Sequence, residues 1–176
     1  MRTIGIRTHN KMIDLELKIY PESCLRIKTI PVENFKTPLS ETLRTMADIM
    51  YLNNGIGLAA TQVGIGTRFL IIDIGEGPIS FINPEIVDRS RKKTHMEEGC
   101  LSLPGVAVNV PRPEHITVRA QDENGEAFVK NFTGLMARVM QHEIDHLNGK
   151  LIIDYLGPLR RAIAIGKLAI KRKERK

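Results

Sequence analysis

The stretch QHEIDHLNG, residues 141–149, sets His142 and His146 four positions apart with Glu143 beside the first. On an α-helix, residues at i and i+4 share one face one turn apart, so two imidazoles at this spacing can grip a single ion. This is the HExxH pattern, in which two His hold a divalent metal and the Glu serves as general base. Catalytic zinc-type sites usually draw three ligands from the protein. The pattern therefore asks for a helix here and for a distant piece of chain folded against it. A helix with two solvated or core histidines is the alternative until a third ligand is found.

The rest of the chain has to supply such a body. Its 176 residues, 42% hydrophobic and 26% charged, suit one globular domain with no division by linker, repeat or low-complexity segment. The longest apolar runs, such as FLII at residues 69–72, are far short of the ~20 residues that span a membrane. The first residues lack the apolar centre of a secretory signal. The expected compartment is the cytoplasm, with an organelle as the alternative. Two cysteines, Cys24 and Cys100, are too few for a disulfide framework and fit a reducing compartment.

Net charge is concentrated at one end. From Pro158 to Lys176 there are eight Lys/Arg and one Glu, net +7, which against +6 for the whole chain leaves −1 over the first 157 residues. A near-neutral body argues against DNA or another nucleic acid as substrate, while the basic end can meet an acidic or phosphate-rich surface.

SETLRTMADIMYLNNG (residues 40–55) predicts an amphipathic helix with Ser40 as N-cap and Asn53, Asn54 and Gly55 as its stop. Residues 68–74 and 115–122 read as strands, and 126–132 as a strand paired with the second through the ENG turn. Thr133 is placed to cap a helix from Gly134 to Leu147, which carries the two histidines, and a last helix begins at Pro158. This order predicts an α+β domain, without the regular alternation of a parallel sheet.

A third ligand is hard to find downstream. The longer pattern HExxHxxGxxH would need His at position 152, which is Ile152, and the only later acids are Asp154 and Glu174. Asp154 lies close behind the helix, and Glu174 sits among Lys and Arg. Upstream, EEGCLSLPG (residues 97–105) offers Cys100 behind Gly99, and a thiolate suits Fe(II), Ni(II) or Zn(II). A free Cys is otherwise a small buried hydrophobe, the reading that fits Cys24. GIGLAATQVG (residues 55–64) has glycines that permit close backbone approach, and Gln62 offers a neutral donor for a developing oxyanion.

The ordered triplet GIGLAATQ, EGCLS and QHEIDHLNG, with the INP of residues 82–84, closely resembles peptide deformylase over about Ile19 to Leu156. Residues 1–18 and the tail beyond Pro158 lie outside the likeness. The resemblance implies antiparallel or mixed β-sheets around a central metal-binding helix, with a C-terminal helix. The implied reaction is removal of the formyl group from the N-terminal formyl-methionine of nascent polypeptides. By the same resemblance Cys100, His142 and His146 hold one divalent metal, Fe(II) foremost with Zn(II) or Ni(II) able to replace it. Glu143 becomes the general base, and the Gln62 amide and Leu101 backbone N–H become the oxyanion donors.

The resemblance also lays an extended peptide along Gly55, Ile56, Gly57 and Leu58. The methionine side chain would enter a pocket with Leu135, Val139, Ile56 and the stems of Glu98 and Arg138 as contributors. Arg138 stands one helical turn before His142, so its head must reach solvent or an acidic partner for the pocket to stay apolar. Two other readings remain at this point, a general HExxH peptidase and a nucleic-acid- or ribosome-binding module with a structural metal. The absent downstream ligand weighs against the first, and the absence of CxxC against the second. The basic tail reads as a solvated helix end or as a docking element for the ribosome.

Overall fold

The computed structural model describes residues 4–8, 11–35 and 39–173, with side-chain environments for 15–35 and 39–170. Among the described residues are nine strands and three α-helices: β1 (Ile4–Thr8), β2 (Lys11–Leu15), α1 (Leu39–Leu52), β3 (Gly57–Ala59), β4 (Phe69–Ile72), β5 (Ile79–Arg89), β6 (Lys93–Gly99), β7 (Ala107–Pro113), β8 (His115–Gln121), β9 (Ala127–Thr133), α2 (Gly134–Leu147) and α3 (Pro158–Lys173). Among these, β3, β4, β5, β8 and β9 form a five-stranded antiparallel sheet in that order. The pairs β1–β2 and β6–β7 form separate antiparallel hairpins. The expected α+β class is therefore what is found, with α2 packed between the large sheet and the β6–β7 hairpin.

The five-stranded sheet exists because FLII of β4, the adjacent Phe81 and Ile82 of β5 and alternate residues of β8 have nowhere but the interior to go. Phe69, Leu70, Ile71, Ile72, Phe81, Ile82, Ile116, Val118 and Ala120 are all buried. They meet Met46 and Met50 of α1 and Val139, Met140, Ile144 and Leu147 of α2 in one core. A second core lies behind the β6–β7 hairpin, where Leu103, Val108 and Val110 meet Leu151, Ile152 and Ile153 and the inner face of α3, Ala164 and Leu168. Burial of apolar area at ~25 cal/mol per Å² drives both layers together and traps α2 between them.

Helix boundaries follow the sequence with two differences. Helix α1 starts at Leu39, so Ser40 lies inside its first turn and is not the cap. Thr133 does precede α2, but its side chain makes no capping hydrogen bond. Gly149 ends α2 in the left-handed region at φ +72°, and a Cβ there would stand 2.5 Å from the Arg26 carbonyl oxygen. The exit from α2 thus requires both a positive φ and the absence of a side chain. Gly149→Ala and Gly149→Asn should each lower stability by about 2 kcal/mol in urea unfolding. Asn tolerates positive φ, but it gives no relief from a backbone collision; full recovery by Asn would refute this account.

Candidate active site

Helix α2 presents His142 and His146 on one face, with ring centroids 5.0 Å apart and ring planes inclined at 62°. Cys100 follows directly on the end of β6, and its Sγ lies 3.2 Å from His146 Nε2. One ligand atom from each of Cys100, His142 and His146 falls within 4.8 Å of the others, a group of three that can hold one ion. Ligands about 2.0–2.3 Å from a shared tetrahedral ion stand roughly 3.5 Å apart, which the Cys100–His146 pair approaches. The upstream search for a third ligand thus leads to a thiol that stands beside both histidines. Asp154, set aside in the sequence, is committed to ion pairs with Arg26 and Arg161.

The electrostatics favour one positive charge at this point. Burial holds His146 well below its ordinary pKa, so its ring is neutral and free to coordinate. Burial also opposes charge on His142, yet hydrogen bonds to Cys100 and Glu98 push it up instead. A thiol, a carboxylate and two imidazoles brought together in a buried place have the donor chemistry of a cation site.

Glu98 does more than offer an apolar stem. Its carboxylate takes a bidentate pair from Arg112, Nε to Oε1 and Nη2 to Oε2, each at 2.8 Å. It also accepts from Arg138 Nη1 at 2.7 Å and bonds His142 Nδ1 at 3.0 Å. Burial would raise its pKa, but Arg112 and His142 overcome that and hold it at about 2. This fixes the ring of His142 with Nδ1 engaged and Nε2 left for the ion, an orientation carboxylates commonly impose on ligating histidines. Arg138, anticipated as a difficulty, finds its acidic partner here and also bonds the Thr94 and Val110 carbonyls. Arg112 was missed in the sequence, as were Asp145 and Tyr155, which bond it from the other side. A usable signal was present: Glu98 and Cys100 are two apart at a strand end, so they face the same way.

Glu143 is buried, with Oε2 lacking any partner among the described residues. Burial pushes its carboxyl up to about 7, against the pull of His142 and Arg112. Gly57 stands against it, where a Cβ would come within 2.6 Å of Glu143 Oε1 and 2.8 Å of Val139 Cγ1. The space a side chain would take at Gly57 is thus occupied by this carboxylate and by Val139. Gln62 is buried; its Oε1 accepts from the Ala59 N–H at 2.9 Å, while Nε2 reaches the Ser102 hydroxyl at 3.2 Å and Cys100 Sγ at 3.8 Å. Its amide nitrogen is thereby aimed at the cluster.

Gln62, Glu98, Cys100, His142 and Glu143 line a cleft of about 610 Å³ together with Gly55, Ile56, Gly57, Leu101, Leu135, Arg138 and Val139. Leu58 alone of the anticipated substrate segment turns its side chain into the core. Strand β3 lies at the edge of the five-stranded sheet, paired to β4 on one side only. An open edge is where an extended peptide can be added by main-chain hydrogen bonds.

The arrangement suits hydrolysis of an amide assisted by a bound cation, and it places the chain among metal-dependent hydrolases. Residues 15–162 match the model of the polypeptide deformylase family. A curated peptide deformylase from Tolumonas auensis is 46% identical over 153 residues, covering 85% of this chain and 91% of that protein. The crystal structure of a peptide deformylase from Legionella pneumophila superposes with TM-score 0.86 at 41% identity, covering 91% and 96% of the two chains. That of the Thermotoga maritima enzyme gives 0.79 at 42%, covering 82% and 98%. The chain belongs to the peptide deformylase family.

Glu98→Gln should cost about 3–5 kcal/mol in chemical unfolding, because it takes the carboxylate from two buried guanidinium groups and leaves Arg138 with neutral acceptors only. The carboxylate is held down at about 2 from an ordinary 4.5, so its stabilisation is present above pH 4.5 and lost as pH falls toward 2. The parent should show that acid loss and the Gln variant should lack this part of it. Coincident stability–pH curves would contradict the assignment.

Proposed function

We propose that Cys100, His142 and His146 hold one divalent ion, Fe(II) in the cell with Zn(II) or Ni(II) as substitutes, and that Glu143 works beside it to release formate from formyl-methionyl peptides. The observation that carries this reading is the convergence of three ligand atoms next to a buried carboxylate oxygen that has no partner. When bound, the ion supplies Lewis-acid polarisation of the formyl carbonyl and makes water a nucleophile at neutral pH.

Glu143, its carboxyl raised to about 7, is suited to take a proton from the attacking water and hand it on. The water oxygen bonds to the formyl carbon, the C–N bond breaks, and the proton goes to the departing amine. Negative charge gathers meanwhile on the formyl oxygen. Gln62 Nε2 and the Leu101 backbone N–H, which donates to no described residue, are the groups to receive it. One such donor is worth roughly 10²–10³ in rate.

The peptide pairs with the edge formed by Gly55, Ile56, Gly57 and Leu58, where Leu58 contributes main chain only. Leu135, Val139 and Ile56 receive the methionine side chain. Glu98 and Arg138 close the floor as an ion pair, so neither of these two presents an unpaired charge to the pocket. The same reading treats residues 1–176 as a single catalytic domain working in the cytoplasm. No helix among the described residues is long and apolar enough to cross a membrane. The basic tail is assigned to the ribosome near the emerging chain.

Anaerobically prepared protein should release formate from formyl-Met-Ala-Ser and leave internal peptide bonds intact. Glu143→Ala should abolish release while metal stays near stoichiometric; loss of the metal would make Glu143 a ligand and end the base assignment. Cys100→Ser should lower metal content, and an unchanged ion would return the thiol to ordinary packing. Gly57→Ala should cut kcat by about 100-fold through displacement of Glu143. Parental kcat in that variant would show that the close approach is dispensable.

A further inference from the structure

A second and larger cavity, about 860 Å³, opens on the other flank of α2, between that helix, β5, β7 and the segment after Gly149. Where Val139, His142 and Glu143 face the active-site cleft, Gln141, Ile144, Asp145 and Asn148 face this one. Six basic residues line it, Lys28, Arg68, Arg89, Lys93, Arg112 and Lys150, against two acids, Glu85 and Asp145. Both acids are already engaged. Glu85 pairs with Arg119, which lies outside the lining, and Asp145 pairs with Arg112 and accepts from Tyr155. Lys28, Arg68, Arg89, Lys93 and Lys150 form no ion pair among the described residues.

Arg68 is the most informative of the five. Its guanidinium is fixed by three neutral acceptors, the Pro84 carbonyl at 3.0 Å, Asn148 Oδ1 at 3.0 Å and Thr29 Oγ1 at 3.4 Å. Burial lowers its pKa, offset in part by Glu85. A positioned, partly desolvated cation without an anionic partner gains most from an anion supplied from outside. The charge also extends well beyond one site. Arg68 is anchored at Pro84 of β5, and Arg89 lies five residues further along that strand, roughly 16 Å at strand rise. That length fits consecutive phosphates of a strand and exceeds a single phosphate ion.

We propose that this cavity binds the sugar–phosphate backbone of single-stranded RNA, holding the protein by the face opposite its catalytic cleft. The occupant is argued from the lining. Lys is depleted in protein–protein interfaces, which rely on aromatic anchors in dry pockets, and here three of the five cations without an ion pair are Lys. The one aromatic, Tyr155, is committed, with its hydroxyl bonded to Asp145 and Lys150 Nζ 3.6 Å above its ring. No flat ring remains to stack a base, so binding is by charge and independent of sequence. RNA is the polyanion abundant where nascent chains are made, and to that extent the choice rests on the deformylase reading. The cavity is separate from the proposed chemistry, so each can fail alone.

The test is fluorescence anisotropy of a dye-labelled single-stranded RNA with the full metal-loaded chain, across a salt series. The variant is Lys28→Gln/Arg89→Gln/Lys93→Gln, three exposed positions, with Lys171→Gln/Arg172→Gln/Lys173→Gln as the tail control. The cavity variant should bind at least about tenfold more weakly, with a log–log salt slope shallower by about 2, as expected for three lost phosphate contacts on a single strand. RNAs of different sequence should bind alike, and formate release should match the parent. Equal affinity and slope in parent and cavity variant overturn the proposal, whether RNA is then held by the tail or not held at all. Binding of poly-glutamate in preference to RNA also overturns it and gives the cavity to an acidic protein.

Discussion

One buried anion organises this molecule. Glu98 is 7% exposed and is met by Arg112, Arg138 and His142. Those groups come from β6, β7 and α2, so a single carboxylate joins the hairpin to the helix that carries the histidines. Each charge would be costly alone in such a place, and together they satisfy one another. The cluster continues through Arg112 to Asp145 and Tyr155, which reaches the second core and the far flank of α2. Removing Glu98 takes away the one carboxylate that Arg138 pairs with and one of the two that Arg112 pairs with. The site's geometry and the packing of the two layers therefore rest on the same bonds.

Much of this was legible in the sequence, for reasons of period and spacing. The i, i+4 histidines fixed a helix and its face, and α2 runs from Gly134 to Leu147 as expected. The hairpin of β8 and β9 followed from its turn, and Cys100 from the failure of every downstream ligand. Less visible were contacts that depend on sheet pairing. Arg112 stands 14 residues from Glu98 and meets it because β6 and β7 pair with Glu98 opposite Val108. No local pattern announces that register. The sequence around Gly57 suggests close approach of a ligand, but nothing near it reveals that the missing side chain also makes room for Glu143, 86 positions on.

Helix α2 is also a partition. Its 3.6-residue turn assigns Val139, His142 and Glu143 to one flank and Gln141, Asp145 and Asn148 to another. The first flank is neutral to acidic around a cation site, and the second is strongly basic. Segregation of charge across one helix explains how a body of net charge near zero can present two electrostatically opposite surfaces. Whole-chain charge conceals this, because the basic end at residues 158–176 accounts for more than the total.

The edge strand β3 has only three residues. A long bare edge invites unwanted pairing between molecules, and brevity is one of the ways sheets avoid it. Brevity also limits how much of a peptide can be inspected. A visitor aligned there has room for only a few main-chain contacts, with one side chain reaching the pocket and the remainder outside. An edge of this size is blind to most of a polypeptide's identity, a tolerance that suits a catalyst serving a whole proteome over one serving a chosen target.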